Sequence, residues 1–586
     1  IARRMGIANV AKWKDRMLNK EYDTTTSPRI GKLRANWKKQ FHIDLDSQVH
    51  PTLFRILCSY LDQGISMWHF PVWDKGFLAS IREMERNSYS SFFKMPRAKK
   101  FLLDGHCTIR KLLDILVGDE ALYEQYLFDQ QFAHQGWSGM VSAVESDPGT
   151  MLDHKNISLH DLILLELLME IDTLDQQFGE IWKPISHNLA DETVDLFATV
   201  PDSELSEVFI LWQEAFEWTY YDEVLKGVEL QSFQAAGPKK HSFQAMFCID
   251  DRECSIRRHL EHADPNCETF GTPGFFGVEF YYKPDHGRFH TKLCPAPITP
   301  KYLIKEIGSS NKRETDAHFT KRSHGLFQGW LITQTLGFWS AFRLFLNLFK
   351  PSMSPATATS LRHMDKLSKL TIENTGPDQM EGNLQIGYTI PEMIQRVENL
   401  LKSIGLVENF APIVYVVSHG SSSVNNPHYA AYDCGACSGR PGSVNARVIC
   451  YMANHPKVRE ELRNRGINIP ETTQFGGALH DTTRDEVVFY DEDTLNPENA
   501  ANHPRDVKAF ELALDANAKE RSRRLVSIDT HQNPAKIHEE IRTRSVSLFE
   551  PRPELNHATN ALCMIGKREL SRGLFLDRRS CLNSYD

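Results

Sequence analysis

Apolar residues recur at helical spacing through much of the first 235 positions. The runs DLILLELLMEIDTLDQQFGEIW, starting at Asp161, and SELSEVFILWQEAFEWTYYDEVLKGVEL, starting at Ser203, predict helices packed on one another. After AAGPKKH (235–241) the pattern changes. A short apolar run ends at Cys248, and DRECSIRRHLEH (251–262) follows as a helix with acidic residues in its first turn. FFGVEFYYK (275–283) predicts a strand, and APIVYVVSH (411–419) predicts a buried strand ending on His419. SVNARVICYMANHPKVREELRNRG (443–466) predicts one helix, with Ser443 at its N-cap and Gly466 at its C-cap. DEVVFYDED (485–493) is a further strand candidate.

Strands alternating with helices predict an α/β core with a mostly parallel sheet. The expected organisation is a mainly helical region over 1–235, then the first half of the α/β core over 236–295. A helical insertion over 296–404, the second half of the core over 405–495 and a C-terminal region over 496–586 follow. Within the insertion, residues 327–349 are rich in Phe, Trp and Leu and approach the length of a membrane span. Arg343, Gln334 and Asn347 interrupt them, so the expectation is a buried or interfacial amphipathic helix. That helix packs either into the core or against a membrane partner or lipid surface. The Pro/Ser/Thr/Ala stretch beyond it is read as a linker.

A chain of 586 residues exceeds what one hydrophobic core supports, so at least two domains are expected. The net charge of −9, without a long Lys/Arg block, argues against nucleic acid as a partner. Eleven irregularly spaced cysteines are too few for a disulfide scaffold and suggest a reducing compartment with clustered thiols used as ligands or redox groups. The opening IARRMGIANVAKWKDR has no apolar signal-peptide core, and a chain beginning at Ile1 reads as a fragment or a processed product.

Three clusters carry candidate chemistry. One is C-x-D-x-R at Cys248, Asp250 and Arg252; the second runs from His419 to Cys434; the third, GALHDTTRDE, holds His480, Asp481 and Asp485. Cys248 and His419 each end an apolar run, which puts both at the carboxyl edge of a parallel sheet, where α/β folds build their sites. Two thiolates and an imidazole make three zinc ligands and leave a fourth position, the catalytic rather than the structural pattern. Asp250 is close enough in sequence to take that position, and Arg252 can hold the same carboxylate bidentately, which makes a gate. Asp251 and Glu253 are assigned to the helix start.

Other readings stand beside this one. Cys248 can be a plain core thiol, and Asp-Asp-Arg a plain helix cap. Cys434 and Cys437 form a C-x-x-C that can be a redox pair, and Cys437 can replace Cys434 as ligand. His480 can support the ligands, face the substrate or be a satisfied polar residue. His428 is placed on a loop, and Cys58, Cys107, Cys267, Cys294, Cys450, Cys563 and Cys581 are read as structural.

C-x-D-x-R followed by a distant His and Cys resembles the zinc site of β-class carbonic anhydrases. SFQAMFCIDDRE, SHGSSSVNNPHYAAYDCGACSGRPGSVNAR, GGALHDTTRDEV, QGWSGMV, SYLDQGISMW and the closing FEPRPELNHATNALCMIGKRELSRGLFLDRRSCLNSYD resemble segments of the DabA family. The likeness extends over nearly the whole chain. It implies a β-carbonic-anhydrase-like core with zinc on Cys248, Asp250, His419 and Cys434, and Arg252 as the partner of Asp250. It further implies hydration of carbon dioxide to bicarbonate, with energy coupling through a cation-translocating membrane subunit, DabB. A peripheral position on the cytoplasmic face of the cell membrane goes with that role. In β-carbonic anhydrases the His and Cys ligands stand close, as H-x-x-C; here fourteen residues separate them, and the DabA family shares this spacing. The long loop is expected to cover the metal until the partner opens the site. A non-catalytic subunit with structural zinc and a Cys434/Cys437 redox protein are the alternatives.

Overall fold

The computed structural model describes residues 8–22, 29–63, 70–189 apart from 73 and 152, and 195–199 apart from 197. It further describes 203–231, 240–308 apart from 286 and 288, scattered positions over 329–346, 366–422, 433–546, and 560–584 apart from 578. The chain divides into two compact units, Ile1–Thr219 and Tyr220–Asp586.

The first unit is helical throughout its described residues. Its centre is the helix Leu159–Phe178, capped by the Ser158 side chain and buried along most of its length. The helices Leu45–Tyr60, Pro96–Asp104, Ile109–Leu116 and Gln135–Ser146 pack on it. Leu53, Leu57, Leu102, Leu116, Leu167 and Leu168 are fully buried in the resulting core.

The second unit is a mixed α/β assembly. Its main sheet contains β1 (Gln244–Cys248), β2 (Glu268–Thr272), β3 (Ile413–Gly420), β4 (Gln474–Asp481) and β5 (Glu486–Phe489). The order across the sheet is β5-β4-β3-β1-β2. β1 runs parallel to β2 and β3, and β3 parallel to β4; only the edge strand β5 is antiparallel. Every residue of β1 and β3 is buried, because both faces of the sheet are covered, and so neither strand alternates in sequence. Phe243, Ala245 and Phe247 join Phe510, Ala513 and Leu514 of the helix Pro497–Ser522 in one core, while Met246 and Cys248 belong to another with Val444 and Val448.

Several expected elements differ in the structure. Residues 275–278 form a tight turn instead of strand, with Phe276 and Gly277 at φ 51° and 72°; only Tyr281–Lys283 is extended. Phe276, Val278 and Phe280 are all buried, so alternate burial mimicked a strand pattern. The helix expected over 443–466 is two, Ser443–Asn454 and Pro456–Asn464. Pro456 lacks an N–H and forces His455 out of helical geometry, to ψ 126°. The residue before the first of these helices is Gly442, not Ser443, while Gly466, at φ 89°, follows the second.

The region 296–404, expected to be helical, contains strands Tyr302–Ile307, Lys369–Leu370, Met380–Glu381 and Leu384–Ile386 besides the helix Ile390–Ser403. They join Tyr281–Lys283 and Thr291–Lys292 in a second sheet. Pieces of two or three residues carry no readable periodicity, and Glu381 fastens them by accepting from Lys283 and Lys305. The aromatic segment 327–349 lies largely outside the described residues, Arg343 and Asn347 included. Its described aromatic residues Trp330, Phe338, Trp339, Phe342 and Phe345 are exposed, which removes core packing for those five. Among the described residues no helix is long and apolar enough to cross a membrane.

Candidate metal centre

At the carboxyl edge of the parallel strands the sequence brings its chemistry together. Cys248 is the last residue of β1, and His419 stands near the end of neighbouring β3. Cys434 returns from a long loop whose two ends are tied together: Ser421 N donates to Asp433 Oδ1 at 2.8 Å, and Gly442 N donates to the His419 carbonyl at 3.0 Å. Residues 423–432 of that loop, with His428, are outside the described residues.

One donor atom each from Cys248, His419 and Cys434 falls within 4.8 Å of the others, and all three residues are buried. Cys437 is also buried and its thiol contacts that of Cys434, while its Sγ also faces the Gly274 carbonyl at 3.5 Å and Asn445 Oδ1 at 3.7 Å. The 3₁₀ turn Gly435–Cys437 joins the two cysteines of the C-x-x-C.

Asp250 is engaged by its expected partner. Arg252 Nε donates to Asp250 Oδ1 at 2.8 Å and Arg252 Nη2 to Oδ2 at 3.0 Å, with the Arg252 backbone N–H also on Oδ1 at 2.9 Å. Asp250 Oδ2 stands 3.4 Å from His419 Nε2, so this carboxylate borders the cluster while clamped by the guanidinium. Arg252 Nη1 reaches Thr482 Oγ1 at 3.4 Å.

Behind His419 lies a buried acid–imidazole chain that joins His480 and Asp485 to Glu253, whose part the sequence does not announce. Glu253 Oε1 is 3.8 Å from His419 Nδ1, and both Glu253 oxygens are 2.9 Å from His480 Nδ1. His480 Nε2 is 3.4 Å from Asp485 Oδ1, and Asp485 accepts from Arg521 and Asn517. His480 pairs with His419 across the β3–β4 register, which brings these rings side by side. From sequence Glu253 reads only as a helix-start acid, since nothing local announces a partner 227 residues away. Asp481 is occupied separately, accepting from the Ser422 hydroxyl and from the Ser422 and Thr483 backbone N–H groups.

The hydrogen bond to Cys434 and then burial hold the Cys248 thiol well above its ordinary pKa. For Cys434 the contact with Cys248 acts downward, but Cys437 and burial outweigh it and its pKa is also well raised. Burial disfavours protonated His419, yet the charges of Asp250 and Cys248 prevail and raise it to about 9. Burial likewise opposes protonated His480, and Glu253 and Asp485 reverse it, to about 10. Both thiols are thus held protonated, and a divalent cation that bound them would favour the thiolates. The space is reserved by backbone: a Cβ on Gly274 would stand 2.8 Å from both Cys248 Sγ and Cys434 Sγ. An S₂N donor set with that clearance fits zinc.

These features define a mixed α/β protein with a buried two-thiol, one-imidazole cluster at the carboxyl edge of a parallel sheet. A family model described as probable inorganic carbon transporter subunit DabA matches residues 6–586, and the chain belongs to that family. A probable inorganic carbon transporter subunit DabA of Nitrosospira multiformis is 61% identical over 590 residues, covering 100% of this chain and 64% of the relative. Its counterpart in Azotobacter vinelandii is 60% identical over 574 residues, covering 98% of this chain and 68% of the relative. A more distant one from Rhodopirellula baltica, DabA 2, is 28% identical over 641 residues, covering 97% of this chain and 59% of the relative. The chain thus spans roughly two thirds of the length of these relatives. No solved structure matches it.

Proposed function

We propose that this chain is part of an inorganic carbon transporter subunit that hydrates carbon dioxide to bicarbonate at a zinc site within a β-carbonic-anhydrase-like core. The observation that carries the reading is the convergence of Cys248, His419 and Cys434 within 4.8 Å, beside an Asp250 clamped bidentately by Arg252. Cys248, His419 and Cys434 would hold the metal, and Asp250 would close its fourth position when released from Arg252. Zinc there would supply Lewis acidity and lower the pKa of a water to about 7. In this reading the clamp of Arg252 on Asp250 would correspond to the open setting of the gate. Glu253, hydrogen-bonded to His480 and 3.8 Å from His419 Nδ1, sets negative charge behind the His419 ring.

The subunit wording of the relatives supports a partner, and the family resemblance points to the membrane subunit DabB. In this reading the chain is peripheral, on the cytoplasmic face of the membrane, and coupling in the partner drives the gate. The exposed Trp330, Phe338 and Phe342 supply apolar surface suited to such a contact. The thiol redox alternative is weakened by the complete burial of Cys434 and Cys437, since a thiol closed off from solvent meets no exchange partner.

Metal analysis with X-ray absorption at the zinc edge, on the wild type and Asp250→Ala, tests the proposal. The expected shell is two sulfurs, one nitrogen and one oxygen, with the oxygen exchangeable in the variant. Two sulfurs and two nitrogens, unchanged in Asp250→Ala, would mean a structural zinc and end the catalytic reading. So would a Cys248→Ala variant that keeps both zinc and carbon dioxide uptake in the assembled transporter.

A further inference from the structure

The helical unit contains a second convergence of metal-binding side chains, unrelated to the thiol cluster. His50 of the helix Leu45–Tyr60, His134 just before the helix Gln135–Ser146, and Glu166 of the helix Leu159–Phe178 bring donor atoms within 4.8 Å of one another. Both imidazoles turn the same nitrogen to one carboxylate: His50 Nε2 is 3.3 Å from Glu166 Oε1, and His134 Nε2 is 2.8 Å from Glu166 Oε2. Ligands on a tetrahedral ion with bonds of about 2.0–2.1 Å stand about 3.3 Å apart, so the two histidine–carboxylate contacts are already near that spacing, and the imidazole nitrogens, within 4.8 Å of each other, close on an ion by small side-chain rotations.

The surroundings resemble those of an ion site more than those of a simple buried ion pair. Ser138 Oγ meets His134 Nδ1 at 3.0 Å, the contact on the far nitrogen that fixes the tautomer of a liganding imidazole. Asp46, one helical turn before His50, places Oδ1 3.5 Å from His50 Nε2 while accepting from Arg34 Nη1 at 2.7 Å, so it becomes a fourth ligand by turning from that arginine. Glu166 is fully buried while His50 and Asp46 remain 15% and 43% exposed, so the cluster has a closed inner side and an open outer side through which an ion can enter. Phe54 packs on both imidazole rings and stacks on Trp137, which walls the site with apolar surface. The neighbouring acid Glu170 is satisfied separately by Arg34, Tyr126 and Gln130, leaving Glu166 to the histidines and a hydrogen bond from Gln131.

We infer that His50, His134 and Glu166, with Asp46 or water as the fourth ligand, form a second site for a divalent transition-metal ion of the zinc and cobalt class. The ion ties three helices of the first unit together. An N₂O ligand set without sulfur selects such borderline ions rather than calcium or magnesium, which prefer all-oxygen shells.

Cobalt titration of the full chain, stripped of metal, is the test. Thiolate ligands give intense near-ultraviolet charge-transfer bands, whereas a site of nitrogen and oxygen ligands gives only weak visible bands. The wild type is expected to bind two cobalt ions, one of each kind. His134→Gln should weaken the sulfur-free ion at least ~10-fold and leave the charge-transfer bands intact. His50→Gln, at a partly exposed position that tolerates change, should do the same even if the His134 variant fails to fold. Binding of a single cobalt with charge-transfer bands, or a sulfur-free ion unaffected by both variants, overturns the inference. Loss of the charge-transfer bands alone would count against the thiol site and leave this one standing.

Discussion

A single hydrogen decides whether the thiol cluster can form. Gly274 passes so close to Cys248 and Cys434 that any side chain there meets both sulfurs at 2.8 Å, closer than real Cβ contacts come. Gly274→Ala must therefore push at least one thiol aside, a repacking that costs about 1–3 kcal/mol in a tight interior. The expected result is loss of bound zinc with the fold retained. Gly435→Ala, whose added methyl would meet nothing within 4 Å, should keep the metal. Equal zinc content in the two purified variants would show that the thiols have more room than their geometry suggests. This residue illustrates what sequence reading does and does not reach. Cys248, His419 and Cys434 were legible because thiols and imidazoles at strand ends declare their chemistry. Gly274 was not, since its contribution is the absence of atoms. Glu253 was legible only as an acid beginning a helix, because its partners His419 and His480 sit on strands far along the chain.

The helix Glu253–Ala263, which carries Glu253 behind the cluster, is held to the helix Pro497–Ser522 by charge as well as by apolar packing. Glu520 takes both Arg258 and His259, the latter at 2.8 Å. Burial works against its ionised form, but these two partners prevail and lower its pKa to about 2 from 4.5. Because the folded-state pKa is depressed, the stabilisation is complete above pH 4.5 and is lost as pH falls towards 2. At about 1.4 kcal/mol per unit, Glu520→Gln should cost about 3 kcal/mol at pH 7. Urea unfolding at several pH values checks this: the gap between wild type and variant should close between pH 4.5 and 2. A gap independent of pH would assign the loss to packing instead. At this scale the long, periodic elements were legible, including the helices around residues 161–182 and 203–230 and the buried strand ending at His419. The failures occurred where local geometry overruled pattern: Pro456 divides one predicted helix, and the turn at Phe276 buries alternate residues without forming a strand.

At the scale of the whole chain, each unit has a hydrophobic core of its own and a candidate metal cluster of its own. Stability should therefore be divided in the same way. Leu102 is fully buried in the helical core of the first unit, and Leu401, on the helix Ile390–Ser403, is fully buried in the α/β core of the second. Truncating a buried leucine to alanine costs about 2–5 kcal/mol, because it removes transfer energy and leaves a cavity. If the cores are independent, calorimetry should resolve two transitions, with Leu102→Ala lowering one and Leu401→Ala lowering the other. Added zinc should raise whichever transition holds an occupied site, since an ion that binds only the folded state stabilises that state alone. The wild type would then show both transitions raised, Cys248→Ala only that of the helical unit, and His50→Gln only that of the α/β unit. One transition moved equally by both leucine variants would mean that the two cores melt as a single cooperative structure, and the metal clusters would then be coupled through it rather than independent.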